Sequence, residues 1–164
     1  MILSDEDLYQ LITHGMVENI CDLSTQLTPN GIDLTVKKVE KFTGRGAVDF
    51  TNKERILPTT EEIPFKNQWV HLLSGSYKVT FNEVVTIPSD TIALARPRSS
   101  LLRSGATIES AVWDAGFHGI SISLLVVHNP HGISLKKNAR LLQLFFLKMS
   151  QKAQKTYQGV YQED

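Results

Sequence analysis

The sequence predicts a mostly β domain, an antiparallel jelly roll or distorted β-barrel preceded by one short N-terminal helix. Short runs rich in β-branched and aromatic residues recur at 31–42 (GIDLTVKKVEKF), 71–81 (HLLSGSYKVTF), 91–97 (TIALARP), 119–129 (GISISLLVVHN) and 140–149 (RLLQLFFLKM). Gly, Pro, Asn and Asp separate these runs. A parallel sheet would need a helix between successive strands, and beyond the first residues no second convincing amphipathic helix is present.

Taking the elements in order, Ser4 with Asp7 three residues later forms a capping-box pattern with Asp in place of Glu. Leu8, Leu11 and Ile12 then recur at helical spacing, and Gly15 ends the helix. The strands follow. After the run ending at Pro97, the segment PRSSLLR reads as a turn-like stretch, and SAVWDAGFHG reads as a strand end entering a tight hairpin, with Gly116 and Gly119 allowing close backbone approach. Residues 1–149 form one domain. The polar tail 150–164, with two tyrosines around a glycine, is expected to be a flexible lid that stays mobile until something orders it.

The 164 residues suit one compact domain, and 17 basic residues balance 17 acidic ones, so the chain as a whole has no charge that would draw it to nucleic acid or a membrane surface. Any anionic ligand must be held by local charge. The single cysteine, Cys21, excludes an internal disulfide framework and is expected to be a small buried thiol in a reducing, cytoplasmic compartment. No basic leader or long apolar span is present, so a soluble, unprocessed protein is expected.

Several residues carry chemistry on two readings. Arg98, Ser99, Ser100 and Arg103 either form an anion cradle, in which guanidinium groups grip phosphate and the hydroxyls complete it, or decorate a solvated turn. Asp114, between Trp113 and AGFHG, either is a partly desolvated carboxylate of raised basicity or simply supports its turn, the commoner role for Asp-Ala-Gly. Asp33 alternates with the apolar Ile32 and Leu34 and could orient a metal-bound water. Gln143, with Arg140 three residues earlier, is polar within an apolar run and by periodicity faces outward. His71, His118, His128 and His131 lack zinc-ligand spacing, and neither a phosphate-binding GxxxxGK[ST] loop nor a GxSxG elbow occurs.

Taken in order, GIDL (31–34), PRSSLLRSGA (97–106), SAVWDAGFHG (110–119), NARLLQLFF (138–146) and YQGVYQ (157–162) resemble the motif series of the dUTPase and dCTP deaminase superfamily, closest to its short archaeal and archaeal-virus dUTPases. The resemblance implies a dUTPase-like barrel and hydrolysis of dUTP to dUMP and pyrophosphate. It implies Asp114 as general base and Mg²⁺ gathered by the phosphates, with Asp33 on a metal-bound water. Ser99 and Ser100 would lie at the phosphates, with Arg98, Arg103, Arg140 and Gln143 around the chain. Backbone groups of Ala111, Val112 and Gly119 would read uracil, Phe117 would pack under deoxyribose, and Tyr157 and Tyr161 would cover the nucleotide. Homotrimers with sites at subunit interfaces are implied, with no nucleic-acid or membrane partner. The alternatives are a dCTP deaminase or bifunctional enzyme, and a non-catalytic nucleotide sensor. Against the deaminase, the position of that branch's catalytic glutamate is Leu124 here, which cannot transfer a proton.

Overall fold

The computed structural model describes residues 1–159. In chain order the elements are α1 (Asp5–Thr13), β1 (Val17–Glu18), α2 (Leu23–Gln26), β2 (Leu27–Thr28), β3 (Gly31–Phe42), β4 (Thr60–Glu62), β5 (Trp69–Leu72), β6 (Gly75–Thr86), β7 (Thr91–Pro97), α3 (Ser99–Arg103), β8 (Ala106–Glu109), β9 (His118–Val127), β10 (Ile133–Lys136) and β11 (Arg140–Lys148). The expected capping box is present: Ser4 Oγ accepts from the Asp7 amide while Asp7 Oδ2 accepts from the Ser4 amide at 3.2 Å. Leu8 and Ile12 bury the inner face of α1.

The main sheet runs β7-β11-β3-β6-β9-β8, every pairing antiparallel. An isolated bridge between Ala93 and Trp113 ties the chain beyond β8 back to β7, so the sheet nearly closes on itself as a barrel. Ile32, Leu34, Val36, Phe81, Leu142, Leu144 and Phe146 fill the interior and are fully shielded from solvent. β5 and β10 form a separate two-stranded ribbon. The run expected as one strand over 71–81 is therefore two elements, broken between Leu72 and Gly75, where Gly75 takes φ +151°.

Two local expectations change. The turn-like PRSSLLR stretch is a strand end followed by the short helix α3, with Arg98 in extended conformation at its N-cap. Cys21 is exposed rather than buried. Its backbone amide is held by Gln26 Oε1 at 2.8 Å, which keeps this segment on the surface as the lead-in to α2.

Candidate active site

β3, β11 and β7 lie side by side and bring three polar residues into one row. Gln143 pairs in register with Asp33 on one side and Arg96 on the other, so all three project from the same sheet face. The opposite face carries Ile32 and Leu34 into the core, as the alternation in GIDL requires. Gly31 is needed here for contact: a Cβ would stand 2.5 Å from the Leu144 carbonyl oxygen and 3.2 Å from the Gln143 side chain. Gln143 Nε2 donates to Thr28 Oγ1 at 2.6 Å.

Asp33 is buried although it lies on the outer face, because arginines and α2 cover it. Its Oδ2 meets Arg98 Nε at 2.8 Å and Arg140 NH1 at 3.2 Å. Arg140 also donates to the Thr25 carbonyl at 2.6 Å. Burial pushes the Asp33 carboxyl above its ordinary range, and the Arg98 and Arg140 charges oppose that rise. One carboxylate against two guanidiniums leaves a surplus of positive charge, which suits an anion.

Behind this cluster the ladder between β3 and β6 is interrupted at Val36/Lys38, and that between β6 and β9 at Thr80/Val84. Glu83 fills the break. Its Oε2 accepts from the Thr35 amide at 2.9 Å, and its Oε1 accepts from Thr35 Oγ1 at 2.6 Å and Gln26 Nε2 at 2.7 Å. Gln26 Nε2 also donates to the Asp33 carbonyl at 2.8 Å. Burial raises the Glu83 carboxyl above its ordinary value, against the pull of those bonds. Sequence reasoning missed this network; its one visible signal was an acidic residue inside the strand-forming run around TFNEVVT.

Ser99, Ser100 and Arg103 lie on α3, exposed, with Ser99 and Arg103 four residues apart and so on one helix face. Ala111 and Val112 are exposed just beyond β8. The Asp114 turn is closed by the Phe117 amide donating to the Asp114 carbonyl at 3.0 Å, and Gly116 takes φ +85°, as the third position of a type II turn demands. Trp113 and Phe117 turn inward, and the indole donates to Ser121 Oγ at 2.8 Å. The Asp114 carboxylate between them therefore points outward and is exposed, so the expected desolvation by its aromatic neighbours does not occur in the single chain. Gly119 is buried in β9, opposite Val85.

The described part of the tail is docked on this turn. The Met149, Ala153 and Tyr157 amides donate to the Asp90, Ser89 and Ala115 carbonyls, each at 2.8 Å. The Tyr157 ring meets Phe117 edge to face, with centroids 5.4 Å apart. A cavity of about 280 Å³ lies between tail and turn, lined in part by Ile92, Asp114, Met149, Lys155 and Tyr157. Tyr161 lies outside the described residues.

Residues 2–149 match the dCTP deaminase-like family model. The chain belongs to the dCTP deaminase-like family. A relative from Methanosarcina mazei named "Probable deoxyuridine 5'-triphosphate nucleotidohydrolase" is 49% identical over 166 residues, covering 99% of this chain and 97% of the relative. An Archaeoglobus fulgidus protein of the same name is 46% identical, covering 98% and 95%. The deoxyuridine 5'-triphosphate nucleotidohydrolase of Methanocaldococcus jannaschii is 40% identical over 138 residues, covering 83% and 86%. Among solved structures, 2'-deoxycytidine 5'-triphosphate deaminase from Agrobacterium tumefaciens superposes with TM-score 0.66 at 24% identity, over 88% of this chain and 46% of that one. That likeness speaks to the fold.

Within this family member, the predicted site residues fall into two groups. Arg98, Asp33, Arg140 and Gln143 gather at one end of β7 with α3 beside them, whereas Asp114, Phe117 and Tyr157 gather near Ile92 at the other. Gln143 is level with Arg96 and Trp113 with Ala93, so at about 3.3 Å per residue three residues of β7, about 10 Å, separate the two rows, and Arg98 stands further out beyond the strand end. Among the described residues, no three of His, Cys, Asp and Glu come together to hold a metal. With its carboxylate already held by Arg98 and Arg140, Asp33 could contact a phosphate-borne Mg²⁺ only through water. At the deaminase-branch position, Leu124 stands in register with Lys78 on β6 and Glu109 on β8.

Proposed function

We propose that the protein is a dUTP diphosphatase, hydrolysing dUTP to dUMP and pyrophosphate. The observation that carries this reading is the 45–49% identity, over nearly the whole of both chains, to archaeal relatives bearing that name. It is supported by a strand β9 with no acidic residue, which leaves Leu124 where a deaminating enzyme needs a proton carrier.

Two copies of the chain would complete each site, in a homotrimer. The separation of the two groups along β7 within one chain favours this arrangement, the Arg98 group of one copy facing the Asp114 turn of the next. The excess of guanidinium over carboxylate at Asp33 would receive the phosphate chain, with Ser99 and Ser100 on the neighbouring helix and Arg103 on the Ser99 face. Mg²⁺, when bound, would neutralise phosphate oxygens, with Asp33 contacting it through water. Asp114 would take a proton from water as the water oxygen bonds to the α-phosphorus and the bond to the bridging oxygen breaks, pyrophosphate leaving. Backbone groups around Ala111, Val112 and Gly119 would pair with the uracil edge, and Phe117 would close the sugar side. Orientation and charge supply most of the rate in such chemistry.

A dCTP deaminase reading draws on one further observation: Glu109 is exposed and lies directly across from Leu124, so a carboxylate is present one strand away from the expected place. One assay separates the two. Purified protein is given dUTP, dCTP, dTTP and UTP with Mg²⁺, and pyrophosphate and ammonia are both followed. Pyrophosphate from dUTP without ammonia from dCTP is expected; no pyrophosphate from dUTP would overturn the diphosphatase, and ammonia abolished by Glu109→Gln would establish the deaminase.

A further inference from the structure

We infer that Arg96 is an additional phosphate-binding residue of this site, gripping the polyphosphate chain beside Gln143; the inference rests on the nucleotide-hydrolase reading above. None of the sequence motifs demands an arginine there, but the sheet register places it. Arg96 is directly across from Gln143, which is directly across from Asp33, so the three form a single outward row over β7, β11 and β3. Two strand spacings put the Arg96 backbone roughly 10 Å from that of Asp33, a gap an arginine side chain spans in large part. Pro97 follows immediately and confines Arg96 to extended backbone, fixing the side on which its stem leaves the sheet.

Charge supplies the second half of the argument. Arg98 and Arg140 share the Asp33 carboxylate. The Arg96 side chain is exposed and, among the described residues, has no ion pair or hydrogen bond. An uncompensated guanidinium beside an already positive cluster raises the potential where an anion is to sit, and its planar fork matches two phosphate oxygens at once. An exposed side chain is also free to swing onto an arriving ligand without breaking a native contact.

The test is calorimetric titration of inorganic tripolyphosphate and of deoxyuridine into the full-length wild type, Arg96→Gln and Arg96→Lys, with the mass of each assembly checked by light scattering. Arg96→Gln is expected to weaken tripolyphosphate binding roughly ten-fold, the scale of a lost charge-assisted hydrogen bond, with a smaller loss for Arg96→Lys and no change for deoxyuridine. Unchanged tripolyphosphate affinity overturns the assignment, as does an equal loss for deoxyuridine or an altered assembly mass. The two readings fail separately. If the wild type releases no pyrophosphate from dUTP while Arg96→Gln still loses tripolyphosphate affinity, the diphosphatase falls and the role of Arg96 stands.

Discussion

Tyr157 reaches back from the tail to Phe117, its ring edge-on at 5.4 Å and its amide bonded to the Ala115 carbonyl at 2.8 Å. The tail therefore covers the Asp114 turn through both a side-chain and a backbone contact. Tyr157→Ala removes the ring pair, worth about 0.5–1.5 kcal/mol beyond its buried area. Faster amide hydrogen exchange over 149–159 and a raised KM for dUTP are expected, with the barrel's own exchange unchanged. Exchange as slow as in the wild type would show that the backbone bonds alone hold the tail.

Asp114→Asn keeps the shape of the turn and removes the carboxylate proposed as the base. Removing a general base typically costs about 10²–10⁴-fold in rate, so pyrophosphate release should fall into that range while a non-hydrolysable dUTP analogue binds as before. Parallel loss of binding and turnover would assign Asp114 to nucleotide binding instead.

Gly116→Ala meets two obstacles. The residue sits at φ +85°, and an added Cβ would lie 2.7 Å from Thr156 Cβ. The backbone strain costs about 1 kcal/mol, and the clash pushes the tail off the turn. Thermal unfolding should show the loss, and tail exchange should rise as in Tyr157→Ala; a wild-type melting temperature would contradict both.

Glu83 gives a pH signature. Burial raises its folded pKa above the unfolded one, so its contribution is fully present below the ordinary glutamate range and is lost as pH rises through the folded value. Glu83→Gln removes that titration. As pH rises from the ordinary glutamate range through the raised folded value, the melting temperature of the variant should therefore gain on that of the wild type. Parallel profiles would mean that the Thr35 and Gln26 bonds offset the burial.

Much of this molecule was legible beforehand because the relevant rules are local. The Ser4–Asp7 cap needs four residues, and the outward placement of Gln143 needs only alternation. The pairing of Asp33 with Arg98 and Arg140 was not legible, since those residues are remote in sequence and meet only through strand order. The same holds for Glu83, whose carboxylate substitutes for ladder bonds at a bulge that has no sequence mark. Of the two readings of Asp114, sequence adjacency to Trp113 and Phe117 does not decide for desolvation, because both rings turn inward and leave the carboxylate outside.

β7 sets the spacing of both residue groups. This single strand holds Ala93 against Trp113 at one end and aims Arg96 across from Gln143 at the other. Deleting one residue within it would slip the register, turning Arg96 toward the core and an apolar neighbour toward water, and would unseat the Trp113 bridge in the same stroke. Engineering or drift can thus vary the amino acids along this strand but not its length, because both residue groups are measured out on one ruler.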